Sequence, residues 1–114
     1  MKINHLKNII KKIFISHKLS KEYASICADA LINAELVGAP SHGLSRLKMY
    51  CDRINHKIIN PKPKIKIKKI SQSISHIDAN NSIGFVAADL AVKTAIINAQ
   101  KTGIGLVAVK NSGH

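Results

Sequence analysis

Asn60-Pro61-Lys62-Pro63-Lys64-Ile65-Lys66-Ile67-Lys68 is where this chain changes its period. Pro61 and Pro63 forbid a continuing helix, and Asn60 ahead of them favours a turn. Isoleucine and lysine then alternate strictly. That is the pattern of a half-buried strand, isoleucines inward and lysines in water. Apolar residues before the break recur at helical spacing. The chain therefore reads as helices first and sheet second, with a helical segment over residues 1–60 and the start of an α/β unit over 61–114.

Upstream, Ile3, Leu6, Ile9, Ile10, Ile13 and Phe14 mark an amphipathic helix from Ile3 to His17, with lysines on its other face. Ser20 is a good N-cap for a second helix, Lys21 to about Val37. Its expected inward face is Tyr23, Ile26, Cys27, Ala30, Leu31, Ala34 and Val37. Alanines at Ala24, Ala28, Ala30 and Ala34 would let a neighbouring helix approach closely. Gly38 supplies a left-handed cap, and Pro40 pushes Ala39 towards an extended conformation. Ser41 is then placed to cap a third helix, His42 to His56, burying Leu44, Leu47, Tyr50, Cys51 and Ile54.

Downstream, Ser73 to Asp78 alternates again, with Ile74 and His76 expected on different faces and His76 solvated. Ala79-Asn80-Asn81-Ser82 is turn chemistry. A helix follows from about Ile83 to Lys101, ending before Gly103. Ile104 to Val109 is a short apolar strand, and Asn111-Ser112-Gly113-His114 begins a turn. The fold class is α/β, more narrowly α+β: three helices, two strands, a helix and a strand.

The chain has 114 residues, 46% of them apolar, which excludes a disordered tail. Aromatics are only 4%, so Ile, Leu, Val and Ala must build the core. No apolar run reaches the roughly 18–20 residues of a membrane span. Lysines at Lys2, Lys7, Lys11, Lys12 and Lys18 break up any secretory signal. Cys27 and Cys51 lack close metal-ligand spacing and read as reduced, buried thiols, with the cytoplasm as the expected compartment. No metal site is expected.

The formal charge is +12. Lysine surfaces attract phosphate, so a small basic module for nucleic acid or an acidic partner is the alternative reading. True nucleic-acid binders concentrate charge on a face, often with Arg and aromatics. Here the lysines are spread, aromatics do not interleave with them, and Lys, Ile and Asn abound as an AT-biased genome would produce. Only Arg46 and Arg53 among the 18 basic residues are arginine. Where Lys is the default cation, an Arg suggests a need for a planar fork.

Ala39-Pro40-Ser41-His42-Gly43-Leu44-Ser45-Arg46 holds the most reactive side chains. On a helix, His42 and Arg46 would be i and i+4, about 5–6 Å apart at Cβ. An imidazole moves a proton near neutral pH, and a guanidinium holds a carboxylate bidentately. A small 2-oxo acid could bridge the two. Spacing alone does not separate this from a chance pair on a surface helix, nor Ser41 from a plain cap.

Glu35-Leu36-Val37-Gly38-Ala39-Pro40-Ser41-His42-Gly43-Leu44-Ser45-Arg46-Leu47 resembles the signature of the malate/L-lactate dehydrogenase type-2 oxidoreductases. Ile104-Gly105-Leu106-Val107-Ala108-Val109-Lys110-Asn111-Ser112-Gly113-His114 is similar to that family's strand leading into a His-aromatic-Gly segment. Ile59-Asn60-Pro61 and Ile77-Asp78-Ala79-Asn80-Asn81-Ser82-Ile83-Gly84 fit in order and spacing. Ala79 stands where a Gly is usual, and Gly113 where Asn is common. Family members exceed three hundred residues, so the chain looks like their N-terminal third.

The resemblance implies a non-Rossmann, sulfolactate-dehydrogenase-like fold, here incomplete. It implies NAD or NADP as cofactor, a small 2-oxo or 2-hydroxy acid as substrate, and a homodimer. It makes His42 the proton donor with Ser41 in its relay, Arg46 the carboxylate-binding residue, and His114 the start of a cofactor-contacting segment. The family's acidic relay residue lies beyond position 114, so activity of the 114 residues alone is not expected. The family lacks the G-x-G-x-x-G fingerprint, and so does this chain.

Overall fold

Ile10 and Phe14, one helical turn apart, are the innermost side chains of the first helix, α1 (Ile3–Ser16). The computed structural model describes residues 2–113 and divides between Lys62 and Pro63 into two compact units. In the first unit α1 packs against α2 (Lys21–Leu36), which starts where Ser20 Oγ accepts from the Tyr23 amide at 3.1 Å. Lys7 and Asp29 join the two helices by a salt bridge of 2.7 Å.

The buried stripe of α2 is Ala24, Cys27, Ala28, Leu31 and Ile32. It is rotated from the expected line: Tyr23, Ile26, Ala30 and Ala34 are only half-buried, and Val37 is 69% exposed. Ala24 and Ala28 have nothing beyond Cβ, so the helix turns these small residues to the close contact. The end of α2 is as expected. Gly38 has φ +80°, its amide donates to the Glu35 carbonyl at 3.2 Å, and the Ala39 amide donates to the Ala34 carbonyl at 2.9 Å. This pair of bonds is a Schellman cap, which closes two otherwise unsatisfied carbonyls.

The third helix is shorter than expected. Pro40–His42 and Leu44–Arg46 are two separate 3₁₀ turns joined at Gly43, and α3 begins only at Leu47 and runs to Asn55. Ser41 is therefore inside a tight turn and does not cap a helix. Tyr50, Cys51 and Ile54 are buried as expected, whereas Leu44 and Leu47 are half-buried.

The second unit is a three-stranded sheet in the order β1 (Lys66–Lys69), β2 (Ile74–Ile83), β3 (Leu106–Gly113), with α4 (Gly84–Thr102) joining the last two strands. β1 is antiparallel to β2, and β2 is parallel to β3. Ser75, Ile77 and Ala79 form the buried face of β2, where Asn98 of α4 donates to Ser75 Oγ at 3.0 Å. Gly105 lies so close to α4 that a Cβ there would meet the Ala95 carbonyl oxygen and come within 2.7 Å of its carbon. Gly103, at φ +88°, ends α4 with a left-handed turn.

Four expectations change in this unit. The last strand runs from Leu106 to Gly113, so Asn111, Ser112 and Gly113 continue it instead of beginning a turn, because Ser112 and Gly113 pair with Ser82 and Ile83. Ile67 is 51% exposed although it pairs with buried Ile77, because α4 packs across β2 and β3 and leaves the β1 edge without cover. Ile74 and His76 share a face of β2, two residues apart, and His76 is exposed. Asn80 and Asn81 adopt φ of +52° and +61°, but they form a bulge within β2 rather than a turn after it. Pairing resumes with Ser82 opposite Ser112 and Ile83 opposite Gly113. Asn111, at φ +59°, makes the matching irregularity in β3, and its side-chain amide donates to Asp78 Oδ1 at 3.0 Å. Among the described residues no helix is long and apolar enough to cross a membrane.

Candidate active site

Pro40 opens the first 3₁₀ turn, where its missing amide hydrogen costs nothing, and places Ser41 and His42 on an exposed corner. Ser41 Oγ lies 3.0 Å from His42 Nδ1, a hydrogen bond whose donor depends on the imidazole tautomer. That contact engages Nδ1 and leaves Nε2 as the other ring nitrogen.

Arg46 ends the second turn and folds back. Its Nε donates to the Ser41 carbonyl at 2.7 Å, and its Nη1 lies 3.7 Å from Met49 Sδ, a weak acceptor. Ser45 Oγ donates to the Pro40 carbonyl at 2.9 Å and ties the two turns together. His42 and Arg46 are thus neighbours, but not as i and i+4 on one α-helix. Gly43, at φ −102° and ψ −134°, breaks the helix between them, and the Arg46–Ser41 bond restores the proximity.

Glu35 is a part of this site that local pattern did not reveal. It comes from the last turn of α2, and its Oε1 accepts from the Leu44 amide at 2.8 Å. Its separation of nine residues from Leu44 matches no short-range signature. The signal in the sequence is only an acidic residue at a helix C-terminus, where the dipole disfavours it.

Beneath the turns, burial pushes the Tyr50 phenol up, while the Arg46 and Arg53 charges pull it part-way back. Burial raises the Cys27 thiol to about 12, so it remains an unreactive packing residue. Ser41, His42 and Arg46 are therefore brought together in the first unit; His114 lies outside the described residues.

The family model for malate/L-lactate dehydrogenase matches residues 1–114. The chain belongs to the malate/L-lactate dehydrogenase family. It is 41% identical over 111 residues to the malate dehydrogenase of Pyrococcus abyssi, covering 97% of this chain and 31% of that protein. It is 35% identical over 108 residues to the malate/(S)-sulfolactate dehydrogenase of Methanothermus fervidus, covering 95% of this chain and 32% of the relative. The solved malate dehydrogenase of Pyrococcus horikoshii superposes with a TM-score of 0.96 at 36% identity, covering all of this chain and 33% of its own. The chain thus spans about a third of the length of these relatives, and its helices and small mixed sheet are an incomplete part of their fold.

Proposed function

We propose that the chain carries the substrate half of an NAD(P)-dependent oxidoreductase that interconverts 2-hydroxy and 2-oxo acids. The observation that carries this reading is the pair of adjoining turns that brings an acid/base and a cation together, with Ser41 Oγ on His42 Nδ1 and Arg46 Nε on the Ser41 carbonyl. Malate and sulfolactate, named in the relatives, each bear a carboxylate beside the hydroxylated carbon.

Arg46 has its Nε held by the protein, so the outer edge of its guanidinium is the part that meets the substrate carboxylate. His42 then faces the C2 oxygen with Nε2. Nicotinamide, when bound, supplies the hydride to C2 or accepts it. As charge grows on the C2 oxygen, the His42 imidazolium gives up its Nε2 proton and keeps the one on Nδ1. That remaining N–H donates to Ser41 Oγ, which fixes the ring and the tautomer. In the oxidative direction Nε2 takes the hydroxyl proton back. The donor set fits the substrate. Among the described residues no glycine-rich phosphate cradle is present, so no cofactor contact is assigned beyond the proposed one at His114.

The cytoplasm and a homodimer belong to the same reading. The test is NADH and NADPH oxidation by the full gene product with oxaloacetate, pyruvate and sulfopyruvate. Turnover is expected with at least one of these and is expected to fall at least about a hundredfold on His42→Ala. Unchanged turnover in that variant would remove His42 from the reaction.

A further inference from the structure

We propose that Glu35 is a positioning residue that sets the angle between His42 and Arg46 by holding the Gly43 turn. This rests on the function proposed for that site. The two 3₁₀ turns meet at Gly43, and the peptide that follows carries the Leu44 amide. Glu35 Oε1 accepts from that amide at 2.8 Å, so a carboxylate from α2 fixes the one peptide on which the hinge depends.

The same side chain decides the residue at position 43. A Cβ on Gly43 would meet Glu35 Oε1 and lie 2.8 Å from Cδ and 2.9 Å from Cγ. Gly43 is buried under the carboxylate. A larger residue could fit only by moving the end of the Glu35 side chain, which breaks the bond to Leu44. The glycine of the motif is thus explained by Glu35 and not by its own backbone angle alone.

Charge points the same way. Glu35 is in the last turn of α2, which has no basic residue to offset it. An anion there opposes the helix dipole. It is accommodated because the Leu44 amide opens the second 3₁₀ turn and has no partner within that turn, so the carboxylate serves as a cap supplied from another element.

The experiment uses the full gene product with Glu35→Gln, Glu35→Ala, Gly43→Ala and the double variant Glu35→Ala/Gly43→Ala. Hydrogen exchange at the Leu44 amide and the ¹⁵N shift of His42 Nδ1 are read first, because neither needs turnover. Glu35→Ala should speed Leu44 exchange at least about tenfold and move the His42 shift, while Glu35→Gln keeps most of both. Gly43→Ala should reproduce the Glu35→Ala values, and in the Glu35→Ala background it should add less than about twofold, since the two changes remove one contact. In 2-oxo acid reduction, kcat/KM should fall at least about tenfold in Glu35→Ala and stay within about threefold in Glu35→Gln.

If Glu35→Ala leaves Leu44 exchange and the His42 shift unchanged, the positioning role is overturned. It is also overturned if they change while kcat/KM does not. Should Glu35→Ala fail to fold, Gly43→Ala against wild type carries the same readouts. A wild-type protein inert towards every 2-oxo acid defeats the proposed function instead. The exchange and shift data would then still decide whether Glu35 holds the turn.

Discussion

Arg46 Nε donates to the Ser41 carbonyl at 2.7 Å, so the cation that follows Ser41 and His42 reaches back to the backbone that carries them. Lysine has a single donor nitrogen, so it cannot anchor through one nitrogen and still offer a planar two-nitrogen edge to a carboxylate. Arg46→Lys in the full gene product should raise KM for a 2-oxo acid by about tenfold or more, with a smaller change in kcat. Steady-state kinetics with oxaloacetate would check this, and an unchanged KM would place Arg46 outside the substrate site.

The contact between Gly105 and the Ala95 carbonyl is backbone against backbone and has no flexible end to move. Gly105→Ala must therefore shift β3 away from α4. The expected loss is about 1–3 kcal/mol, the usual cost of overpacking a close contact. Urea denaturation of both proteins, with equal slopes, would measure it.

Asp78 is held below the ordinary carboxylate value of 3.8, chiefly by the Asn111 side-chain amide and then by the Asn80 amide. A folded value below the unfolded one means that this stabilisation is full above about pH 3.8 and is lost as pH falls through the lower folded value. Asn111→Ala removes the larger cause. The stability difference between wild type and Asn111→Ala should thus be constant at neutral pH and shrink below that point. A difference that grows on acidification would contradict the pairing.

Cys27 is fully buried, with its thiol pushed up to about 12. At pH 8 it should resist iodoacetamide in the native protein and react fully in urea. Peptide mass spectrometry would show which cysteine is labelled. Rapid native labelling of Cys27 would show that the α1–α2 contact opens readily.

The Ser20 cap is a local feature with a local cost. Ser20→Ala loses the acceptor for the Tyr23 amide and should destabilise the protein by about 1 kcal/mol. Thermal denaturation checks it.

Much of the chain was legible in the residues themselves. The bounds of α1 and α2, the Ser20 and Gly38 caps and the change of period after Pro63 all follow from interactions within a few residues. The Ser41-His42-Gly43-Leu44-Ser45-Arg46 motif also points to the family by its residues alone. Tertiary structure decided what local pattern left open. The Pro40–Arg46 stretch is two tight turns rather than a helix, broken at Gly43, and the Leu44 amide after the break is held by a carboxylate nine residues earlier in the chain. Asn80 and Asn81 make a bulge rather than a turn, because Ser112 and Gly113, far along the chain, pair with the residues beyond them. Ile67 has a strand's alternation but lies past the cover of α4. Propensity and period report the energy of neighbours in sequence. These three outcomes were set by partners that only the folded chain brings near.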